Sequence, residues 1–291
     1  MADSDPLLVP LDTLPEPVVE NVRRATRDHT LPLIANNTHL GTGTLVQIDQ
    51  WAGILTAEHV VHPDKQDLWL DYTGHPERHL RTSIGSFAHD LSISTNALRI
   101  VTTARLNDDH GPDLAFIALP ESPFLHELRA RKSFYNLTLN VAKKTHIALT
   151  DAGFFALCGF PSIKDFSGPA EHGFTTTTSL CGYVMFSGPE SYEHPNDWDY
   201  FEVRVSQECA NEFERKFGGV SGGGVWRVLM IAGQDAPPGD VLMGDLALAG
   251  VAFYEMDDRG ENHFFVRAHG PVSIYDTFID LVRNTLTSAL S

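Results

Sequence analysis

From Thr30 onward the chain is a succession of short apolar or alternating runs. They read "TLPLIA" (30–35), "GTLVQID" (43–49), "AGILTA" (52–57), "LAFIAL" (114–119), "FFALCGF" (154–160), "TTTTSLCGYVMF" (175–186), "DYFEVRVS" (199–206), "GGVWRVLMI" (223–231), "LALAGVAFYE" (246–255) and "HFFVRAH" (263–269). β-Branched and aromatic residues dominate them, and Gly, Pro, Asp and Asn separate them. That punctuation predicts an all-β chain of the sandwich or barrel kind. Two segments break the pattern. In "EPVVENVRRATRDH" (16–29), Val18, Val19 and Val22 share one helical face, which predicts a short N-terminal helix. In "PVSIYDTFIDLVRNTLTSAL" (271–290), Ile274, Phe278, Leu281, Val282 and Leu286 follow helical spacing behind a proline suited to a first turn. The polar and basic stretch 121–146 reads as a crossing between two halves. Residues 186–199 and 232–240 read as long surface loops, and residues 1–14 as a loose extension.

The 291 residues contain ample apolar material for a core, and a prior of ~150 residues per domain suggests about two units, though one larger β architecture also fits. A formal net charge of -17 repels a phosphate backbone, so nucleic acid is not an expected partner. Cys158, Cys181 and Cys209 are widely spaced and form no CxxC pair. They read as reduced cysteines of a reducing compartment, with no structural zinc. The acidic, proline-broken start has no secretory signal character, and no run of about 18 apolar residues spans a membrane, so the expected location is cytoplasmic. His62, His75, His79 and His89 lack paired ligands at a recognisable spacing, and "ARLNDDHGPD" reads as a charged loop; no metal is expected. The "NLT" at Asn136 reads as a chance match to a glycosylation pattern.

The candidate chemistry lies at "GGVSGGGVW" (218–226), where Ser221 stands among glycines. A phosphate-cradling loop would need a lysine and then a helix, whereas "VWRVLMI" follows with strand character. Gly219-Val220-Ser221-Gly222-Gly223 does match the G-x-S-x-G elbow of esterases, with Asp245, His263 and His269 downstream. That elbow needs a helix after the serine and a βα alternation, and neither is present. A peptidase serine needs an imidazole to take its proton and a carboxylate to orient that imidazole. Upstream stand "LTAEHVV", with His59, and "GPDLAFIALP", with Asp113 at the mouth of an apolar strand.

Together these segments resemble the trypsin-like (chymotrypsin-fold) serine peptidases. "LTAEHVV" resembles the family's T-A-x-H, "DLAFIAL" its D-[IL]-A-x-x-x-L and "GVSGGGV" its G-x-S-G-G, in the family's order. The resemblance runs from about Leu31 to the C-terminal helix. It implies two antiparallel Greek-key β-barrels with the active site in the cleft between them. The implied division is an extension with a helix (1–30), a first barrel carrying His59 and Asp113 (31–125), a crossing (126–146), a second barrel carrying Ser221 (147–270) and a helix (271–291). It makes His59 the general base and then acid, Asp113 its orienter and Ser221 the nucleophile. The N–H groups of Gly219 and Ser221 become the oxyanion hole, worth about 3 kcal/mol of barrier per donor. It also implies a polypeptide substrate, no cofactor, and a strand at "AGVAFY" (249–254) that pairs with substrate. Gly250, Val251, Ala252 and Phe253 would line the entrance to the first specificity pocket. Arg215 and Lys216 either reach that pocket and favour an acidic residue before the cut, or are solvated loop charges; the second is the simpler reading.

Two departures stand out. Val220 replaces the aspartate that precedes the nucleophile in secreted members, and Val60 replaces the half-cystine beside the histidine. Activation by a new N-terminus is therefore not available. The turn at 218–220 is instead expected to be set by substrate or by a separate activating or recruiting protein. Two alternatives stay open: a catalytically silent binding module on the same fold, and a serine esterase.

Overall fold

A computed structural model describes residues 14–35, 38–61, 79–84, 89–103, 112–145, 154–161, 165–169, 175–179, 181–186, 188–205, 218–232, 241–256 and 264–289. The chain is all-β, with two antiparallel barrel-like sheets, a short N-terminal helix and a C-terminal helix. In chain order the elements of the first half are α1 (Glu16–Asp28), β1 (Thr30–Ala35), β2 (Thr38–Ile48), β3 (Trp51–Thr56), α2 (Glu58–Val61), β4 (His79–Ile84), β5 (His89–Ser94), β6 (Arg99–Thr102), β7 (Ala115–Ala118), α3 (Pro123–Arg131) and β8 (Tyr135–Asn136). The second half has β9 (Phe154–Gly159), β10 (Asp165–Pro169), β11 (Thr175–Ser179), β12 (Gly182–Phe186), β13 (Ser191–Glu193), β14 (Tyr200–Val205), β15 (Gly224–Ala232), β16 (Val241–Met256), β17 (Phe264–His269) and α4 (Ile279–Ser288). The first sheet runs β5-β4-β1-β2-β3-β7-β6, with β8 parallel to β2; the second runs β12-β9-β15-β16-β17-β14-β13. The run at 175–186 is two strands rather than one, because β11 pairs with β10 while β12 pairs with β9.

The apolar runs are continuous in the central strands because those strands bury both faces. On β3, Ile54 joins the interior of the first sheet, while Leu55 joins a core shared with the second sheet and both terminal helices. Ile117 and Phe116 of β7 divide the same way. The first half thus keeps an interior of its own and also shares a second core with the other half along their contact.

Three boundaries differ from the sequence reading. Residues 16–28 are not an appendage: Val18 and Val22 of α1 sink into the shared core against the second sheet. The crossing does not begin at 126, because α3 straddles that position. Ser122 caps it by accepting from the Leu125 N–H (3.3 Å), and Phe124, Leu125 and Leu128 fill the first sheet's interior. Residues 186–199 are not wholly a surface loop, since β13 lies there and Asp199 is fully buried. The 232–240 loop, Cys209, His62 and His75 lie almost entirely or wholly outside the described residues.

Asp199 explains where the C-terminal helix starts. Its carboxylate accepts from the N–H groups of Ser273 (2.6 Å) and Val272 (3.1 Å), which have no partner inside the helix. The Ser273 hydroxyl returns a bond to the Asp199 carbonyl (2.8 Å), and Tyr192 O–H donates to the same carboxylate (2.9 Å). A π-helical stretch, Ser273–Phe278, leads into α4, and Ile274, Phe278, Val282 and Leu286 are buried as the periodicity predicts.

Candidate active site

β3 ends at Thr56, and the chain turns through Ala57 into the one-turn α2, which carries His59 at the sheet's end. β7 pairs with β3 in the register Thr56↔Ala115, so the residues just before β7 lie beside α2. That brings Asp113 to His59 across 54 positions of sequence. Asp113 is 1% exposed. One carboxylate oxygen accepts the His59 backbone N–H (2.9 Å) and the other accepts His59 Nδ1–H (2.7 Å). A carboxylate only accepts, so the proton sits on Nδ1 and Nε2 is left as the basic nitrogen. Glu58, next to His59, points away and accepts from the Thr103 hydroxyl (2.9 Å).

Asp113 has a further partner that the sequence motifs do not announce. Its backbone N–H donates to Nε2 of His269 (3.0 Å), at the end of β17. His269 is fully buried among the rings of Phe253 (4.5 Å), Tyr200 (5.0 Å) and Trp198 (6.0 Å). Burial pushes its pKa down to about 3, despite the nearby Asp113 charge, so it is a neutral acceptor at ordinary pH.

Ser221 sits on a tight turn between Gly218 and β15. Gly219 and Gly222 have φ of 91° and 88°, a conformation that a side chain resists. Gly222 also lies so close to the first sheet that a Cβ would collide with the Thr42 carbonyl and the Thr56 hydroxyl. The turn is anchored from three sides. Gly223 N–H closes it on the Val220 carbonyl (2.8 Å), and Gly222 N–H donates to the Ala252 carbonyl (2.7 Å). From the first sheet, Thr42 O–H donates to the Gly219 carbonyl (2.7 Å), Thr42 N–H to the Ser221 carbonyl (2.8 Å) and Thr44 O–H to the Gly222 carbonyl (3.0 Å). The turn expected to depend on a partner therefore has internal supports. Because the Val220 carbonyl faces inward to Gly223, the trans peptide aims the Ser221 N–H the other way. Among the described residues neither that N–H nor the Gly219 N–H has an acceptor.

Gly41 of β2 joins the two halves of the site. A Cβ there would lie 2.7 Å from the side chain of Val60, His59's neighbour, and 3.0 Å from the Ser221 carbonyl oxygen. The serine turn and the histidine turn are thus packed on the same glycine. Val220 is buried and fills the space above Gly159.

Beside Ser221 opens a cavity of about 40 Å³ lined by Gly218, Val220, Ser221, Ala252, Phe253, Tyr254 and Val266. Ala252 and Phe253 of the expected pocket segment lie in this lining. Gly250 and Val251 are not at the entrance: Gly250 packs on the Phe201 ring and the His269 carbonyl, and Val251 is fully buried opposite Gly224. The lining segment is shifted C-terminally because Ala252 is the residue bonded to the serine turn. Tyr254 and Val266 are additional lining residues, and no local motif marks them. Phe253 is a bulge, and from Tyr254 to Met256 β16 pairs only with β17 among the described residues, so its other edge has room for an extended chain there. Arg215 and Lys216 lie outside the described residues. Among the described residues no three His, Cys, Asp or Glu side chains form a metal cluster, and no helix is long and apolar enough to cross a membrane.

No family model matches the chain, and no curated protein matches it. Among solved structures it is similar to one from work on the aromatic-driven coupled folding and binding of the intrinsically disordered Sesbania mosaic virus VPg protein. The identity is 12% and the TM-score 0.42, over 86% of this chain and 88% of that one. A likeness that distant carries no functional argument.

Proposed function

We propose that the chain is a trypsin-like serine endopeptidase acting on polypeptides in the cytoplasm, with His59, Asp113 and Ser221 as its triad. The observation that carries this reading is the His59 Nδ1–H bond to the buried Asp113 carboxylate, with a serine turn packed on the same glycine as Val60 and two of its N–H groups without acceptors among the described residues. In the proposed reaction Nε2 of His59 takes the Ser221 hydroxyl proton as Oγ bonds to the scissile carbonyl carbon. The N–H groups of Gly219 and Ser221 hold the resulting oxyanion. His59 then gives the proton to the amine as the C–N bond breaks, leaving an acyl-enzyme. Water, deprotonated by the same imidazole, releases the acid and restores Ser221. Asp113 keeps the imidazole in the useful tautomer and stabilises its charged form. Substrate backbone would add to the edge of β16 that is unpaired among the described residues, with the residue before the cut entering the small cavity beside Ser221. A separate protein could recruit substrate to this cleft.

The esterase alternative requires a histidine downstream of Ser221. His269 is fully buried and engaged with Asp113, which disfavours it; His263 lies outside the described residues.

The test is intact mass after exposure to a fluorophosphonate, comparing wild type, Ser221→Ala and His59→Ala. A single adduct on wild type that both variants lose is the expected result. An unlabelled wild type means a silent binding module. Labelling that survives His59→Ala returns the esterase.

A further inference from the structure

Cys158 and Cys181 lie behind the serine turn, and no step of the proposed hydrolysis uses them. Both are reduced, and their sulfurs are 3.2 Å apart. Cys158 is buried on β9, one residue before Gly159; Cys181 precedes β12 and is half-buried, so one of the two is open to reagents. Strand pairing keeps them neighbours, with Cys158 opposite Tyr183 and Gly159 opposite Gly182. Two cations face the pair. Lys132 Nζ is held by the carbonyls of Arg27 (2.9 Å) and Thr30 (3.2 Å), and its charge and that of Arg27 both act on the sulfurs. The hydrogen bond from Cys181, with help from the Thr30 and Thr26 hydroxyls and Lys132, lowers the Cys158 pKa against the opposing effect of burial, and the same bond together with burial pushes the Cys181 thiol up. A partly exposed dithiol beside fixed positive charge is the environment in which thiols react.

The backbone at Cys158 is also in direct contact with the serine turn. A Cβ on Gly159 would lie 2.7 Å from Val220 Cγ1, and a Cβ on Gly223 would lie 2.6 Å from the Cys158 carbonyl oxygen. Phe160 N–H donates to Thr42 Oγ1 (2.8 Å), the same hydroxyl that holds the Gly219 carbonyl. These contacts have no slack.

We infer that Cys158 and Cys181 form a reversible disulfide by exchange with a low-molecular-weight disulfide, and that this bond slows chemistry at Ser221. The first half stands by itself; the second rests on the serine reading above. With the pair's shared proton on Cys158, the half-exposed Cys181 sulfur attacks one sulfur of a glutathione-type disulfide, whose S–S bond breaks and releases one thiolate, and that thiolate takes the proton from Cys158. The Cys158 thiolate then attacks the Cys181 sulfur and releases the second. The protein loses two protons and two electrons, and the reagent leaves as two thiols. The sulfurs must close from 3.2 Å to about 2 Å, so β9 and the start of β12 shift relative to each other. The shift reaches Val220 through Gly159 and Gly219 through Phe160 and Thr42, and it re-aims the N–H groups that would hold the oxyanion.

The full chain is equilibrated in glutathione redox buffers, then examined by intact mass, peptide mapping and fluorophosphonate labelling rate. The expected result is loss of two hydrogen atoms, a mapped Cys158–Cys181 crosslink and reversal by dithiothreitol. Labelling of Ser221 should fall by at least about tenfold, a fraction of the effect of losing one oxyanion donor, and Cys181→Ala should keep its labelling rate in the oxidising buffer. A stable glutathione adduct on Cys181 without the internal bond, or a crosslink to Cys209, overturns the site. A crosslink with unchanged labelling overturns the gating. A reduced chain that takes no label overturns the serine reading and the gating with it, while the mapped crosslink still decides the site.

Discussion

His269 occupies the position on which the arrangement of Asp113 depends. Its Nε2 accepts the Asp113 N–H inside an aromatic box. His269→Phe should leave that N–H buried and orphaned and cost about 1–3 kcal/mol of unfolding free energy; urea denaturation measures it. His269→Gln, which can still accept, should recover part of the loss. The same residue sets a pH dependence. Its folded pKa of about 3 lies below the ordinary 6.5, so between those values the unfolded chain binds the extra proton. Stability should be at its full value above pH 6.5 and fall by about 1.4 kcal/mol per unit as the pH drops towards 3. His269→Gln should flatten that slope. At Asp113 itself, Asp113→Asn removes the acceptor that sets the His59 tautomer. On the proposed peptidase reading, peptide hydrolysis should fall by about four orders of magnitude in kcat; a loss smaller than tenfold would remove Asp113 from the proposed triad.

Among the elements, the C-terminal helix and the serine turn both have starts set by distant residues. Asp199→Ala takes the acceptor from the first N–H groups of the helix and leaves the Tyr192 hydroxyl unpaired. The expected cost is about 2 kcal/mol, read as a shift in the urea midpoint. Asp199→Asn should lose less, because its side-chain oxygen can still cap. β3, β7, β9, β15 and β17 were legible as apolar runs because burial on both faces leaves an unbroken signature. β4, β5, β6 and β10 were not, since their sequences carry charged and small polar residues, and pairing with neighbours rather than their own pattern makes them strands. α3 was masked by its basic residues: Arg129 and Arg131 pair with Glu121 and Glu127 on the outer face, while three apolar residues face inward.

Across the whole molecule, the terminal helices reach over the division between the sheets. α1 precedes the first sheet and packs on the second; α4 follows the second and reaches back, Arg283 bonding both oxygens of Asp49 at 2.8 and 3.0 Å. At the centre, His29 stacks on Trp226 (5.0 Å), and Tyr135 meets that ring edge-on (5.3 Å). A molecule tied in this way should unfold as one unit. Val22→Ala, in α1, should cost about 1–2 kcal/mol through the cavity it leaves. Probes in both sheets should shift together, and two separated transitions would show that the halves are independent.

The sequence by itself determined the all-β class, the two helices, and the order of a histidine, an aspartate and a serine in contexts that suit a strand end or a tight turn. Those features are local, because alternation, helical spacing and glycine-rich turns act over a few residues. The tertiary structure alone decided what surrounds them. Thr42 holds Gly219 across 177 positions, Thr44 holds Gly222 across 178, and His269 holds Asp113 across 156. The cavity is lined from Ala252 onward instead of from Gly250, and Cys158 meets Cys181 behind the turn. No periodicity encodes such contacts. They follow from which strands pair and in what register, and that is settled when the two sheets bury their shared core.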